Sequence, residues 1–160
     1  MSLAATTEEA LSEVFVDTIR GLAPRITYKG GEAWKPYTRE AANASTTRRF
    51  RIVWQSGGIQ PGGAVGGHII ECFAEVRVRT DYAGSHEKQQ FAIMDDFFQL
   101  QDELSRLKAP GSSSGVVLVT GERWEPAPEV DLTMVPALDS TDVVKIDHVF
   151  TVRYMRRISP

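Results

Sequence analysis

At 160 residues, with 42% hydrophobic and 24% charged side chains, the chain has the makeup of one globular domain rather than of a disordered polymer. Its net charge of -3, from 18 basic and 21 acidic residues, offers no general attraction to nucleic acid or to an anionic membrane. The single cysteine, Cys72, excludes an intrachain disulfide and a cysteine metal cluster, and no apolar run approaches the ~20 residues of a membrane span.

The first residues lack a basic-then-apolar signal pattern, so residues 1–5 read as a disordered leader and the protein as soluble and not secreted. From Thr6 to Leu22 the spacing predicts a helix. Thr6 and Glu9 form a possible capping box, and Leu11, Val14, Phe15, Thr18, Ile19 and Leu22 make one apolar stripe. Gly21 and Pro24 mark its stop. Residues 29–47 are polar and longer than an ordinary connection of about 4–6 residues, which predicts a long loop. Within it, Trp34 and Tyr37 either cover a core edge or serve a protein contact.

Arg48 to Ser56 alternates as a strand, with Phe50, Ile52 and Trp54 on one face and Arg49, Arg51 and Val53 on the other. The Gly-rich stretch 56–67 has neither the Gly-Lys-Ser/Thr of a Walker loop nor a helix after it, so it reads as a second long loop, the turn of a hairpin. His68 to Tyr82, HIIECFAEVRVRTDY, is the clearest strand. Ile70, Cys72, Ala74, Val76 and Val78 line an apolar face, and Glu71, Glu75, Arg77 and Arg79 lie opposite. Both loops are expected to be more mobile than the sheet.

A second helix is predicted from Asp95 or Asp96, either able to cap it, to Lys108, with Phe97, Leu100, Leu104 and Leu107 inward. Beyond a GSSSG connection, Val116–Thr120 and Leu132–Val135 read as short strands, with Trp124 in irregular chain between them. The last element, Val143 to Arg157, alternates over its whole length, placing Val144, Ile146, His148, Phe150, Val152 and Tyr154 together. The order predicts a single α+β domain over 1–160, with a mixed or antiparallel sheet and two helices packed on one face.

If 48–56 and 68–76 form a simple hairpin, Arg49 faces Glu75, and Arg51 faces Phe73 with Glu71 and Glu75 diagonal to it. The face turned from the helices would then carry Val53, Ile69 and Phe73 inside a rim of Arg49, Arg51, Glu71, Glu75 and Arg77. An apolar centre with a charged rim suits a contact between subunits. A terminal segment of the same chain could instead cover it.

Signals for catalysis are sparse. His68, His86 and His148 form no metal-ligand spacing, Cys72 alternates onto the buried face, and Ser112–Ser114 sits in no nucleophile elbow. We therefore assign no catalytic, cofactor or metal residue and expect no enzyme activity and no cofactor. The other reading is a small-molecule-binding domain or enzyme with a pocket between helix and sheet, His148 and Tyr154 forming its polar walls. RNA binding through the sheet is disfavoured by the acidic balance.

Three stretches, RVRTDY, DDFFQLQDEL and VVKIDHVFTVRYMRRI, resemble the tail-terminator and related minor-tail or neck proteins of long-tailed bacteriophages and prophages. The resemblance implies a non-enzymatic structural subunit. It would form a homo-oligomeric ring, usually hexameric, at the tail end or head–tail joint, with tail-tube and head-connector proteins as partners. Its place would be the virion tail, or the host cytoplasm during assembly.

Overall fold

The computed structural model describes residues 7–26, 33–37, 48–55, 60–64, 69–83, 86–107, 117–128 and 143–157. Two helices and a six-stranded mixed sheet make an α+β fold: α1 (Glu8–Arg20), β1 (Lys35–Pro36), β2 (Arg49–Trp54), β3 (Gln60–Ala64), β4 (Ile69–Ala83), α2 (His86–Leu104), β5 (Leu118–Pro126) and β6 (Val143–Arg157). The strand order is β1-β2-β4-β6-β5, with β3 beside β4. Among the described strands, only the β1–β2 pair is parallel.

The sheet is built on β4 and β6, which pair residue for residue from Ile69↔Arg157 to Ala83↔Val143. Alternation dictates their faces. Cys72, Ala74, Val76 and Val78 of β4 and Phe150, Val152 and Tyr154 of β6 are buried in one cluster with Leu11, Phe15 and Ile19 of α1 and Phe97, Leu100 and Leu104 of α2. Both helices therefore cover the same face of the sheet, as their stripes predict. Burial pushes the Cys72 thiol above its ordinary pKa, in keeping with an inert core position. None of the described helices is long and apolar enough to cross a membrane.

Helix α1 starts one residue later than the capping box suggests: Thr7, not Thr6, is the N-cap and accepts a bond from the Ala10 amide at 3.2 Å. Gly21 ends the helix as expected. Helix α2 differs more. It begins at His86, so Asp95 and Asp96 stand in its middle rather than at its cap. Carboxylates suit a helix start in isolation, but here each has a cation on another segment: Asp95 lies 3.7 Å from Arg25, and Asp96 is buried against Arg48.

The simple hairpin is also corrected. β2 pairs with the far half of β4, Val53 facing Arg77 and Arg51 facing Arg79. The near half of β4 takes β3 instead, Gln60 facing Phe73 and Ala64 facing Ile70. Part of the Gly-rich 56–67 loop is thus a strand. Its backbone satisfies amides and carbonyls along β4 that would otherwise be an open edge. A Pro-Gly-Gly sequence hides this, yet Pro61 is tolerated because, among the described strands, β3 has a neighbour on one side only.

Within 29–47 the described part is ordered around Trp34, which is buried edge-on to Phe50 with ring centroids 5.8 Å apart. It covers a core edge. Trp124 is not in irregular chain but in β5, which runs to Pro126 and shifts register between Gly121 and Arg123. The predicted strand 132–135 and the GSSSG connection lie outside the described residues.

Candidate functional site

Two places concentrate chemistry. The first is buried, between sheet and helices. Arg48 precedes β2 with φ at 59°, a left-handed conformation that side chains other than glycine rarely adopt. That turn sends its guanidinium into the core instead of onto the strand face. Arg48 Nε donates to Asp96 Oδ2 at 2.9 Å, and a second nitrogen donates to Asp96 Oδ1 at 3.3 Å and to the Ile26 carbonyl. Its backbone donates to the Asp81 carbonyl at 2.8 Å and accepts from Lys35 at 3.1 Å. One residue thereby ties β1, β4, α2 and the end of the α1 connection together.

The chain of bonds continues. The Tyr82 hydroxyl donates to Asp96 Oδ2 at 2.8 Å and lies 2.6 Å from His148 Nε2. While Asp96 is ionised it can only accept, so the Tyr82 proton goes to it and the hydroxyl accepts from the imidazole, which places the His148 proton on Nε2. Burial, outweighing Arg48, pushes the Asp96 carboxyl up to about 6, while burial holds His148 neutral and lowers it to about 3. The three stretches that carry the phage-tail resemblance meet here, as Tyr82, Asp96 and His148. His148 and Tyr154, the suggested pocket walls, are both fully buried, and His148 is engaged by Tyr82.

The second place is the sheet face opposite the helices. Register puts Val53, Phe73, Arg49, Arg51, Glu71 and Glu75 on it, and Ile69 opens β4 opposite Arg157. The structure does not gather the apolar members as expected. Val53 faces Arg77, four residues along β4 from Phe73, which is about 13 Å at strand rise. Phe73 faces Arg153, whose guanidinium lies 5.8 Å from its ring centre.

The middle of this face is a lattice of ion pairs. Arg79 grips Asp147 with two bonds of 2.8 and 3.0 Å. Arg77 reaches Glu125 at 2.7 Å, Asp147 at 3.2 Å and Glu75 at 3.4 Å. Arg123 adds bonds to Glu125 at 2.9 Å and Glu75 at 3.4 Å, and its hydrogen bond holds Glu125 below the usual carboxylate range. At the two ends Arg153 pairs with Glu71 at 2.6 Å and Arg49 with Asp81 at 3.3 Å. The expected partners of Arg49 and Arg51 are thus corrected by the register: Asp81 replaces Glu75 for Arg49, and Arg51 stands across from Arg79.

The register shift in β5 completes the lattice. Before it, Leu118 and Thr120 pair with Arg153 and Thr151; after it, Arg123 and Glu125 pair with Val149 and Asp147. One extra residue thus swaps parity, sending Arg123 and Glu125 to the ionic face and Trp124 to the helix face against Phe97. The sequence held a signal for the buried site, an arginine breaking the alternation of its strand. Nothing in it named Asp96 as the partner. Among the described residues no grouping of three or more His, Cys, Asp or Glu could hold a metal. No known family model matches this chain, and none of the curated proteins matches it.

Proposed function

We propose that the protein is a structural subunit of a phage or prophage tail. It assembles through its open sheet face into a homo-oligomeric ring at the tail end or head–tail joint, and it performs no catalysis. The observation that carries the reading is the one-sided sheet. Both helices lie on one face, and the other is crossed by long strands bearing charges of both signs with Phe73 and Val53 among them. The carboxylates of this face are paired with its arginines within the subunit, so two copies meet without bringing unpaired carboxylates together. The pre-formed pairs also lose little side-chain freedom on contact. The occupant is a second copy of the chain, through a heterologous contact that closes into a ring. Tail-tube and head-connector proteins are the partners of that ring.

Light scattering tests it. The purified chain should have the mass of a closed ring or of a pair of such rings. Phe73→Glu should retain the monomer fold, because the new carboxylate lies beside Arg153, yet disperse the ring by adding a third acid next to Glu71 and Glu75. A ring of unchanged mass in the folded variant would reject this face as the interface. A parent chain that forms no ring would reject the ring itself.

A further inference from the structure

Helix α2 carries a second surface that the ionic face does not use. Its inward side is Gln89, Ala92, Ile93, Asp96, Phe97, Leu100 and Leu104, all buried. On its outward side Phe91, Met94 and Phe98 are 54%, 40% and 55% exposed. They stand at i, i+3 and i+7, the spacing of one seam along a helix. Trp124 of β5, 39% exposed, adjoins the seam with its ring 6.4 Å from that of Phe98.

We infer that α2 packs against α2 of a second copy about a two-fold axis near Met94, burying Phe91, Met94 and Phe98 with Trp124 at the flank. Three observations select a second copy. The seam has the spacing by which one helix receives another, and α2 is the only described helix that exposes one; the Leu11, Phe15 and Ile19 stripe of α1 is spent on the core. A two-fold contact needs a patch complementary to itself, and a short apolar seam centred on a flexible methionine is such a patch.

The area agrees as well. Four large side chains, each about half exposed, present roughly 400 Å² of apolar surface. A standard interface of ~800 Å² per partner is a little over half apolar, so one such contact needs about that much. Among the described side chains at the seam's edges, Asp95 is paired with Arg25 and Asp102 with Arg106 within the subunit, so a second copy does not meet these two carboxylates unpaired.

The contact is independent of the ring reading, since it lies on the opposite side of the sheet from Phe73. Light scattering on the full chain reads it directly. Phe98→Arg should halve the assembly mass with an unchanged circular-dichroism spectrum, whereas Phe73→Glu should leave an α2-paired dimer. Met94→Cys, placed near the axis, should form a disulfide-linked dimer under mild oxidant, which the parent does not because Cys72 is buried. An assembly mass unaffected by Phe98→Arg, or a parent that is monomeric at every concentration, overturns the inference. So does a Met94→Cys protein that stays uncrosslinked, which also decides the matter if Phe98→Arg fails to fold.

Discussion

Arg48 is the residue on which the most segments depend. Its left-handed backbone costs on the order of 1–3 kcal/mol, and that cost is met by an ion pair with no exposed atoms on either side chain. Removing only the cation, as in Arg48→Met, leaves Asp96 buried and unpaired. The expected loss is roughly 3–5 kcal/mol in denaturant unfolding, largely regained when Asp96→Leu is added. The same cluster predicts an unusual pH response. Asp96 keeps its proton up to about 6 when folded but only to the ordinary value near 3.8 when unfolded, so its contribution is full below that lower value and is lost as pH rises through about 6. His148 runs the other way. Neutral when folded down to about 3, it stabilises above its ordinary value of 6.5 and loses that contribution as pH falls. Between pH 4 and 6 the two slopes, each about 1.4 kcal/mol per pH unit, oppose and nearly cancel. Asp96→Asn should therefore make stability rise with pH across this window, and His148→Gln should make it fall. Urea titrations at three pH values would read both slopes, and parallel curves for the two variants would refute the assignment.

At the level of elements, the meeting of α2 with β5 depends on a glycine. A Cβ on Gly121 would lie 2.8 Å from Phe97 Cζ and 2.6 Å from Gln101 Oε1. Gln101 can swing away, but Phe97 is stacked on Phe150 with centroids 5.6 Å apart and has no free side to move into. Gly121→Ala is expected to cost about 1–3 kcal/mol through overpacking. Thermal unfolding would show it, and an unchanged midpoint would mean that α2 stands farther from β5. The register shift beside Gly121 serves the same junction. It turns Trp124 toward Phe97 and Phe98 while delivering Arg123 and Glu125 to the ionic face. A bulged strand ending in proline is also a poor template for further strand pairing, which favours side-chain contacts over edge growth in assembly.

For the whole molecule, the two faces of the sheet divide the work. One is an apolar core shared by both helices, with the Arg48–Asp96 pair buried beside it; the other is ionic, held at its centre by Asp147, which is fully buried beneath Arg77 and Arg79. Ring contacts through the ionic face and two-fold contacts through α2 use different surfaces, so a chain with both would form a pair of rings. The two kinds of contact should also respond differently to salt. Half-exposed pairs such as Arg123–Glu125 and Arg153–Glu71 are screened, whereas apolar burial is not weakened by salt.

The strands β4 and β6, the stripe of α1, the burial of Cys72 and the α+β class were legible in the sequence. Each is a matter of local period, two for a strand and 3.6 for a helix, and period decides which side chains share a face before any partner is known. The same period puts Arg49, Arg51, Val53, Glu71, Phe73 and Glu75 on one side of the sheet, but it did not give their neighbours, and Val53 and Phe73 stand apart. Arg48 finds Asp96 across 48 residues of chain, and Arg79 finds Asp147 across 68, through pairings that exist only once the sheet has closed. The start of α2, the strand in the Gly-rich stretch and the register of β2 were decided by that closure. In each case the alternative favoured locally, a capped helix at Asp95, a flexible loop or a short hairpin, would have left a buried charge or a row of backbone groups without partners.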